Sequence, residues 1–499
     1  MRIPAFAAAL AALTLIAACQ NGEADVGAPD PAADTPVISL YASDHGLRLP
    51  VVNDPFFGYM ESQANVRLDV TYLAHSQYND QLRLKFAGGY MPDVYQSWSA
   101  PEPALVEDGK ILVLNELIER YGPNLKRNIP QATWDAVTVN GQILAIPQPT
   151  GSQQGQVIYV RQDWLDKLNL DVPKTSDDLL QVMRAFKTRD PNGNGIADEI
   201  PFTMRQNFNW GENLFGMWGI YSLYSETAYN GEIILGNVHP NMVPALDYMK
   251  TMYAEGLLDP DFMTNSKSTW EQKIKAGLVG IWCHAPGLAW QWQRDLEASI
   301  GDQHPDVVAI ETPQGAGYDG PVGVRWSPLD KTFILFKNAR HPEAIIRWLD
   351  WLVSAEGQVF TDLGLEGVTY EKQDGSYVYD AEAAGKAGID WLRTIYKLHG
   401  LNETTEAAWV ANKTAYEKLK RAYAIADSQG FVSETIGMPN IENDYHIHSL
   451  FPQEAAEIII GNKEPASYLD FIAEWKASGG QRLIDERTRW VKENRRENI

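Results

Sequence analysis

Cysteine is nearly absent from this chain, which has only Cys19 and Cys283 among its 499 residues. Two cysteines cannot supply the disulfide framework on which small secreted domains depend. One of the two, Cys19, sits in a lipidation motif described below, so we expect Cys283 to be a half-buried structural cysteine. Hydrophobic cores must therefore hold the fold, and the length is enough for two or more of them.

Positively charged residues are also relatively few. The chain has 42 Lys and Arg against 65 Asp and Glu, which gives a net charge of −23 and a pI near 4.8. A basic footprint for nucleic acid or for an anionic membrane surface is absent, so neither is expected as a partner. The same sign of charge argues against a strongly polyanionic ligand unless a local basic cleft overrides it.

Long hydrophobic runs are missing except at the N-terminus, where residues 5–18 follow Arg2. That stretch is too short to span a bilayer and is typical of a signal peptide. Residues 16–19, IAAC, match a bacterial lipobox. We therefore expect residues 1–18 to be removed, Cys19 to be lipidated, and residues 19–36, which are polar, acidic and rich in Pro, Gly and Ala, to form a flexible tether.

Strand-like and helical patterns alternate after the tether. Residues 37–42, 66–72 and 92–95 have strand character, and a helical pattern at 80–86 lies between the last two. This order predicts an α/β fold with a mostly parallel sheet, whose ligands gather at the carboxyl ends of strands. Residues 175–178, TSDD, predict a helix start, and the apolar spacing that follows predicts a helix with one buried face over 179–189.

An oxygen-rich loop follows that helix at residues 190–199, DPNGNGIADE. Its side chains could turn several oxygens toward a hard cation such as Ca²⁺, and Gly195 takes the sixth position of an EF-hand loop. Pro201 replaces the bidentate Glu at position twelve, so the loop is EF-like rather than an EF-hand. A plain Asn-Gly turn is the alternative. We predict a structural Ca²⁺ held by Asp190, Asn192, Asn194, the carbonyl of Ile196, Asp198 and Glu199.

Aromatic residues are abundant, with 16 Trp, 22 Tyr and 15 Phe, and many lie outside helical core patterns. Flat aromatic faces stack on sugar rings while polar neighbours bond the hydroxyls, which is the chemistry of a saccharide cleft. Packing in the core is the alternative for each single tryptophan. The predicted ligand-binding residues are Tyr41, Asp44, Gln96, Trp98, Gln148, Trp210, Trp218, Trp282, His284, Arg325 and Trp326.

The stretch from VIYVRQDWLDKLNL at 157–170 to RAFKTRDPNGNGIADEIPF at 184–202 resembles the alginate-binding periplasmic proteins. These belong to the extracellular solute-binding protein family 1 of ABC importers. Weaker similarity continues at residues 88–94, 253–259 and 363–370 and spans nearly the whole mature chain. The cation-loop motif is the specific part, and alginate itself is not carried over because the cleft residues do not align.

The resemblance implies a two-lobed periplasmic-binding-protein fold of a type II-like kind. Each lobe would be a mainly parallel sheet flanked by helices, joined to the other by hinge crossovers, with Ca²⁺ in one lobe and an oligosaccharide closed between them. We expect lobe 1 at residues 37–149 and 328–400, and lobe 2, with the Ca-binding loop and the C-terminal helices, at 150–327 and 401–499.

The function expected from these features is capture of an oligosaccharide, not catalysis. The protein would be a monomer, anchored only by its lipid at the outer face of the cytoplasmic membrane or in the periplasm, and would deliver sugar to ABC importer permease subunits. A secreted Ca-binding glycoside hydrolase or polysaccharide lyase is the alternative, although no acidic pair stands out by motif. A surface lipoprotein that captures glycans without an importer is a third reading.

Overall fold

The computed structural model describes residues 35–325, 327–410, 413–436, 438 and 447–494. The predicted signal peptide, Cys19 and nearly all of the tether lie outside the described residues, as does Trp326. Residues 36–499 form one compact unit by their contacts. None of the helices among the described residues combines the length and the apolar character that a membrane span requires.

A five-stranded sheet lies at the centre of what we call the first lobe. Its strand order is Arg67–Leu73, Val37–Ser43, Val94–Ser97, Ser327–Leu335, Ile146–Gln154. The first three strands are parallel to one another, and the last two pair antiparallel. Ile38, Leu40 and Ala42 are fully buried at alternate positions of the second strand in this order, as the period-two pattern requires.

Helices cover this sheet and share its core. Pro342–Leu352, for example, buries Ile345, Ile346, Trp348, Leu349 and Leu352 along one side. The first-lobe helices are Pro55–Ala64, Tyr78–Ala87, Pro103–Glu107, Asn115–Tyr121, Pro123–Asn128, Gln131–Asp135, Pro342–Leu352, Ala355–Leu363 and Ala381–Ala387. Two hairpins, Thr138–Val139 with Gln142–Ile143 and Tyr370–Gln373 with Ser376–Tyr379, complete the lobe.

A four-stranded sheet forms the second lobe, with the order Val307–Ile310, Val157–Arg161, Val279–His284, Ile200–Thr203. Only the last pair is parallel. Apolar side chains cover both faces: Ile158 and Val160 belong to one core, and Val157 and Tyr159 to another. Cys283 is a buried free thiol in the first of these cores, so it is more deeply buried than expected.

The helices of the second lobe pack on both faces of its sheet. They are Gln162–Leu168, Ser176–Thr188, Glu212–Gly216, Met242–Ala254, Lys267–Lys275, Ala289–Ile300, Lys413–Ser428, Ile447–Ile459, Tyr468–Trp475 and Gln481–Asn494. The helix Glu403–Val410 contacts Ala355–Leu363 and Ser376–Tyr379 of the first lobe as well as Lys413–Ser428. The hairpin Glu226–Tyr229 with Glu232–Leu235 contacts the last helix, and Val324–Arg325 pairs with Gly430–Phe431. The predicted capping box at Thr175 and Asp178 is present, so this helix start is confirmed.

The chain passes between the lobes three times. It leaves the first sheet at Gln154 and enters the second at Val157, and it returns ahead of the strand Ser327–Leu335. The third passage follows residues Leu392–Tyr396, after which Lys413–Ser428 packs on the second lobe. The two-lobed α/β fold is confirmed. The sheets are mixed rather than mainly parallel, because the strands beside these crossings run antiparallel to their neighbours.

Candidate functional site

Polar and aromatic side chains follow the three parallel strands of the first lobe. Asp44 and His45 follow the strand Val37–Ser43, His75 follows Arg67–Leu73, and Trp98 follows Val94–Ser97. The rings of His45 and His75 stack at 4.6 Å, and that of Trp98 stands edge-on to His75 at 5.5 Å. The backbone N–H of His75 donates to Asp44 Oδ1 at 2.9 Å. One edge of the sheet thus carries a cluster of four side chains: an aspartate, two histidines and a tryptophan.

The second lobe has a matching set at the ends of its two parallel strands. Arg205 follows Ile200–Thr203, and His284 is the last residue of Val279–His284. The ring of Trp210 lies 4.1 Å from that of His284, centroid to centroid. Here too the carboxyl ends of parallel strands gather side chains suited to binding a ligand.

The two sets are electrostatically coupled across the space between the lobes, which we call the gap. Burial lowers the pKa of His75 in the first lobe, and the charges of Lys267 and Arg205 in the second lobe lower it further. The same two cations, after burial, lower the pKa of His284 to about 3. Charges near a protein surface act over roughly 10 Å. Lys267 and Arg205 therefore act electrostatically on histidines of both lobes. We call Asp44, His45, His75, Trp98, Arg205, Trp210, Lys267 and His284 the cleft group.

Several buried polar atoms at or near this gap have no hydrogen-bond partner. They are His45 Nε2, His284 Nδ1, Arg205 Nε and, on the strand Ile146–Gln154, Gln148 Oε1. An unpaired buried polar group costs about 1–3 kcal/mol. A ligand with many hydroxyls could supply the missing hydrogen bonds. Burial and then the charge of Lys331 lower the pKa of His45 to about 4, so its ring is neutral at pH 7.

The backbone around Trp210 is strained. Trp210 has φ of 59°, and Asn207 and Phe208 before it have φ of 58° and 61°. Positive φ is unfavourable for bulky L-residues, and such strain persists where the surrounding structure fixes it, often at binding sites. The strain here places a tryptophan ring against His284 at the gap.

Four of the eleven predicted ligand residues, Asp44, Trp98, Trp210 and His284, belong to the cleft group. Gln148 is buried with its free Oε1. Tyr41 lies within its strand under the ammonium of Lys85, 5.0 Å from the ring. Gln96 is buried and donates to the carbonyl of Ile395 at 2.8 Å. Arg325 lines a separate surface cavity of about 180 Å³ with Tyr221 and Phe431.

The burial of Trp218 and Trp282 contradicts their assignment to the cleft. Trp218 is 3% exposed and packs in a second-lobe core, and its indole N–H donates to the carbonyl of Ala316 at 3.2 Å. Trp282 is fully buried beside Tyr159 and Trp292. Trp282 lies inside a strand of the second sheet, which is covered on both faces, so its side chain enters a core. Trp218 follows the helix Glu212–Gly216, and its ring packs beside that of Tyr248 in the other core.

Four members of the cleft group were not among the predicted ligand residues: His45, His75, Arg205 and Lys267. Two of them could have been found, because His75 and Arg205 stand directly after predicted or recognisable strands, where Asp44 was sought. Lys267 begins a helix, Lys267–Lys275, and carries no local signal for the cleft.

The loop at residues 190–199 curls around the carboxylate of Asp190. Asp190 Oδ1 accepts the N–H of Gly193 at 2.8 Å, and its Oδ2 accepts that of Gly195 at 3.0 Å. Asp190 itself has φ of 47°. The amide groups of Asn192 and Asn194 donate to Asp198, each at 3.1 Å. The predicted oxygen-bearing residues are therefore held together in one turn.

The carboxylate of Glu199 is not fully hydrogen-bonded within this loop. Its Oε1 is buried without a hydrogen-bond partner. Burial, and then the charges of Asp190 and Asp198, raise the pKa of Glu199. In the described part of the chain, no three His, Cys, Asp or Glu side chains gather closely enough to hold a metal by themselves. Any ion here would need the amide and backbone oxygens as well, and the orphaned Glu199 oxygen fits such an ion.

Comparison with known proteins identifies the family. The family model described as bacterial extracellular solute-binding protein matches residues 44–359. Among curated proteins, the lipoprotein LipO of Bacillus subtilis is 24% identical over 97% of this chain and 97% of its own length. The polygalacturonan/rhamnogalacturonan-binding protein YtcQ of the same organism is 23% identical over 86% of each chain.

Solved structures agree on the fold. The alginate-binding protein AlgQ2, in a structure without calcium ion, superposes with a TM-score of 0.74 at 18% identity and covers 92% of this chain and 98% of its own. The solute-binding protein FusA of Streptococcus pneumoniae, as an EF-hand mutant with fructo-nystose, gives 0.70 at 16% identity, over 93% of this chain and 100% of its own.

The family match covers more than half of the chain, and LipO aligns along almost its full length. These relatives bind solutes and are not enzymes, so the hydrolase or lyase alternative is not retained. The chain belongs to the bacterial extracellular solute-binding proteins.

Proposed function

We propose that this protein captures an oligosaccharide between its two lobes and passes it, unaltered, to the permease of an ABC importer. The observation that carries the proposal is the cleft group: two tryptophans, one from each lobe, beside buried polar atoms without partners. Aromatic faces next to unpaired donors and acceptors suit sugar rings and their hydroxyls. The name of the relative FusA refers to fructooligosaccharides, and that of YtcQ to polygalacturonan and rhamnogalacturonan.

Capture needs no chemistry from the protein. Trp98 and Trp210 would stack on sugar rings, while His45 and His284, both neutral at pH 7, would hydrogen-bond hydroxyls. A ligand that touches both lobes stabilises the closed arrangement over the open one. The permease would then recognise the closed form.

The proposal is tested with a glycan panel. The protein is mixed with neutral and acidic oligosaccharides while tryptophan fluorescence and reducing-end products are followed together. Saturable quenching at a 1:1 ratio without products supports capture. No saturable response to any glycan, or release of products, would refute it.

We also propose that the loop at 190–199 holds a structural Ca²⁺. The ligands would be oxygens of Asp190, Asn192, Asn194, Asp198 and Glu199 and the carbonyl of Ile196, whose side chain points out with 61% exposure. The ion would neutralise the carboxylates and give the orphaned Glu199 oxygen a partner. The ion would not affect the other lobe, so we propose that its role is to stabilise the fold.

The anchor is a further part of the proposal. The lipobox ending at Cys19 predicts a lipidated N-terminus, and the relative LipO is a lipoprotein by name. Radiolabelled palmitate should be incorporated into the protein and lost in Cys19→Ser. Incorporation that persists in that variant would contradict the anchor.

A further inference from the structure

The ends of two neighbouring strands bring Ser43 and His75 together in the first lobe. The strands Val37–Ser43 and Arg67–Leu73 are parallel, and their last register pair is Ser43 with Leu73. His75 lies two residues beyond that pair, at the same edge of the sheet. Ser43 Oγ therefore reaches the imidazole and lies 2.9 Å from His75 Nδ1.

The backbone beside this contact is held by Asp44. Asp44 Oδ1 accepts the N–H of His75 at 2.9 Å and that of Gly46 at 3.0 Å. His45 follows Asp44 with φ of 49°, and its ring stacks on that of His75 at 4.6 Å, with 27° between the planes. The imidazole of His75 is thus fixed through its backbone, through its Nδ1 and on one face.

The hydroxyl of Ser43 has one proton, and its surroundings decide where that proton goes. Ser43 is fully buried, and its Oγ already accepts the backbone N–H of His45 at 3.3 Å. Among the residues that the structure describes, His75 Nδ1 is the one acceptor to which Oγ can donate. An Nδ1 with its own proton would leave the buried hydroxyl proton without an acceptor, which is unfavourable. The hydroxyl therefore donates to Nδ1, and the proton of the neutral ring is on Nε2.

The imidazole of His75 is neutral at pH 7. Burial, and then the charge of Lys267, lower its pKa from the usual value, although the charge of Asp44 opposes them. A protonated ring would also carry a proton on Nδ1 and would meet the same conflict with the hydroxyl of Ser43. His75 therefore presents a single N–H donor, at Nε2.

The Nε2 edge of His75 is accessible to a ligand. His75 is exposed, and within the described part of the chain its Nε2 has no hydrogen-bond partner. Trp98, which is 37% exposed, stands edge-on to this ring at 5.5 Å. On the stacked neighbour His45, the buried Nε2 also has no partner. An exposed indole, an available donor and an unpaired buried nitrogen therefore lie side by side.

We propose that Ser43 fixes His75 as the tautomer with its proton on Nε2, and that this N–H donates to an oxygen of a sugar that packs on Trp98. This inference rests on the proposed function. His75 is then a donor of fixed polarity, and Ser43 is its positioning residue. A hydroxyl, ring or acyl oxygen of the sugar can accept the hydrogen bond, whereas an ammonium group has no lone pair to offer.

The tautomer is tested without any ligand, by nuclear magnetic resonance of the full-length protein with isotopically labelled histidine at pH 7. The signals that vanish in His75→Phe belong to His75, one of 9 histidines. Wild type should show a protonated Nε2 and an unprotonated Nδ1. In Ser43→Ala the two nitrogen shifts should move toward each other, because the ring then exchanges between tautomers. Ser39→Ala is the matched control on the same strand, since its hydroxyl bonds Asp93, and it should leave both shifts unchanged.

The sugar contact is tested by titration calorimetry with kestose, maltotriose, cellotriose, xylotriose and trigalacturonate. His75→Phe keeps a flat ring beside Trp98 but has no donor. It should weaken binding of any trisaccharide that wild type binds by about three- to tenfold, the range of one hydrogen bond. Ser43→Ala should weaken it by about twofold, because only part of the rings then carry the donor, and Ser39→Ala should not change it. Thermal unfolding shows that each variant is folded before its affinity is measured.

Three results would contradict the inference, each in a different way. A wild-type His75 with its proton on Nδ1, or shared evenly between both nitrogens, means that Ser43 does not set the tautomer. Full affinity in His75→Phe means that the N–H does not contact the sugar, while sugar capture stands. If none of the five trisaccharides binds to wild type, the proposed function fails and the sugar contact fails with it, whichever tautomer the spectra show.

Discussion

At the scale of single residues, each lobe has one tryptophan that could contact the proposed ligand, and the two are held in different ways. Trp98 is 37% exposed and is held by edge-on contacts with His45, His75 and Tyr78. Trp210 is half-buried and fixed by a strained backbone against His284. Rigid aromatic residues bind with a small entropy cost, so these two should dominate the affinity.

Trp98→Ala and Trp210→Ala should each weaken binding of the cognate oligosaccharide by roughly 1–3 kcal/mol, which is about fivefold to 150-fold in Kd. Calorimetry on each variant measures the loss. Trp218→Phe is the matched control, because Trp218 lies in a core: it should lower the melting temperature and leave Kd unchanged. Unchanged affinity in both cleft variants would remove these rings from the site.

Asp93 should control part of the stability in acid. Burial alone would raise its pKa, but the hydrogen bonds from Arg340 and Ser39 outweigh burial and lower the pKa to about 2. Because the folded pKa lies below the unfolded value near 3.9, the stabilisation is present above about pH 4 and disappears as the pH falls through about 2.

Asp93→Asn should therefore cost roughly 2 kcal/mol of unfolding free energy at pH 7 and much less at pH 2.5. Urea unfolding at both values measures the difference. Glu116→Gln, at a side chain 89% exposed, should change stability by less than about 0.5 kcal/mol at either pH. An equal loss for Asp93→Asn at both pH values would contradict the assigned shift.

At the scale of elements, the cation loop caps the end of the helix Ser176–Thr188. In the described structure the Asn192 and Asn194 amides turn to Asp198, which satisfies that carboxylate without an ion. Binding of Ca²⁺ would require these side chains to present their oxygens instead. Under the proposal, bound Ca²⁺ would favour a second arrangement of the loop, in which the amide oxygens face the ion.

Removal of Ca²⁺ with EDTA should lower the melting temperature, and added Ca²⁺ should restore it, because an ion that binds only the folded state stabilises it. Asp190→Ala should abolish the calcium response. Asp166→Ala, on the neighbouring helix Gln162–Leu168, should keep it. A wild-type protein that melts at the same temperature with and without EDTA, and that retains no calcium after dialysis, would show that the loop is only a turn.

The third crossing contains a buried charge network. Asp362 is fully buried and accepts from Lys397 at 2.8 Å and from Thr405 at 2.6 Å. Arg393 pairs with Glu406 and lies 3.8 Å over the ring of Trp409. Trp409 in turn meets Trp290 of the second lobe edge-on at 4.4 Å. Charged and aromatic side chains thus connect the two lobes beside the hinge.

Asp362→Asn should destabilise the protein by roughly 3–5 kcal/mol, because it leaves buried cations without their carboxylate. Denaturant unfolding measures the loss. Glu382→Gln, which breaks the exposed pair with Lys386, should cost less than about 1 kcal/mol. Similar small losses in both variants would mean that the network does not hold this crossing.

At the scale of the whole molecule, the sequence was most informative where a pattern is local. The strands Val37–Ser43 and Arg67–Leu73 and the helix Ser176–Thr188 with its capping box at Thr175 lie within a few residues of their predicted positions. Trp282 was misplaced because burial on both faces of a sheet depends on helices far away in sequence, and Trp218 because its packing partner Tyr248 is also distant in sequence. Lys267 was missed because it begins a helix and no local sequence pattern marks it as a binding residue.

The central claim is that this protein binds an oligosaccharide intact between its lobes. Native mass spectrometry of the protein with the glycan panel tests it most directly, because one spectrum reports stoichiometry and ligand mass. The account predicts one bound oligosaccharide per protein, at its unaltered mass, and a complex that disappears in the double variant Trp98→Ala/Trp210→Ala. A protein that retains no oligosaccharide, or that retains only shortened fragments, would contradict the account.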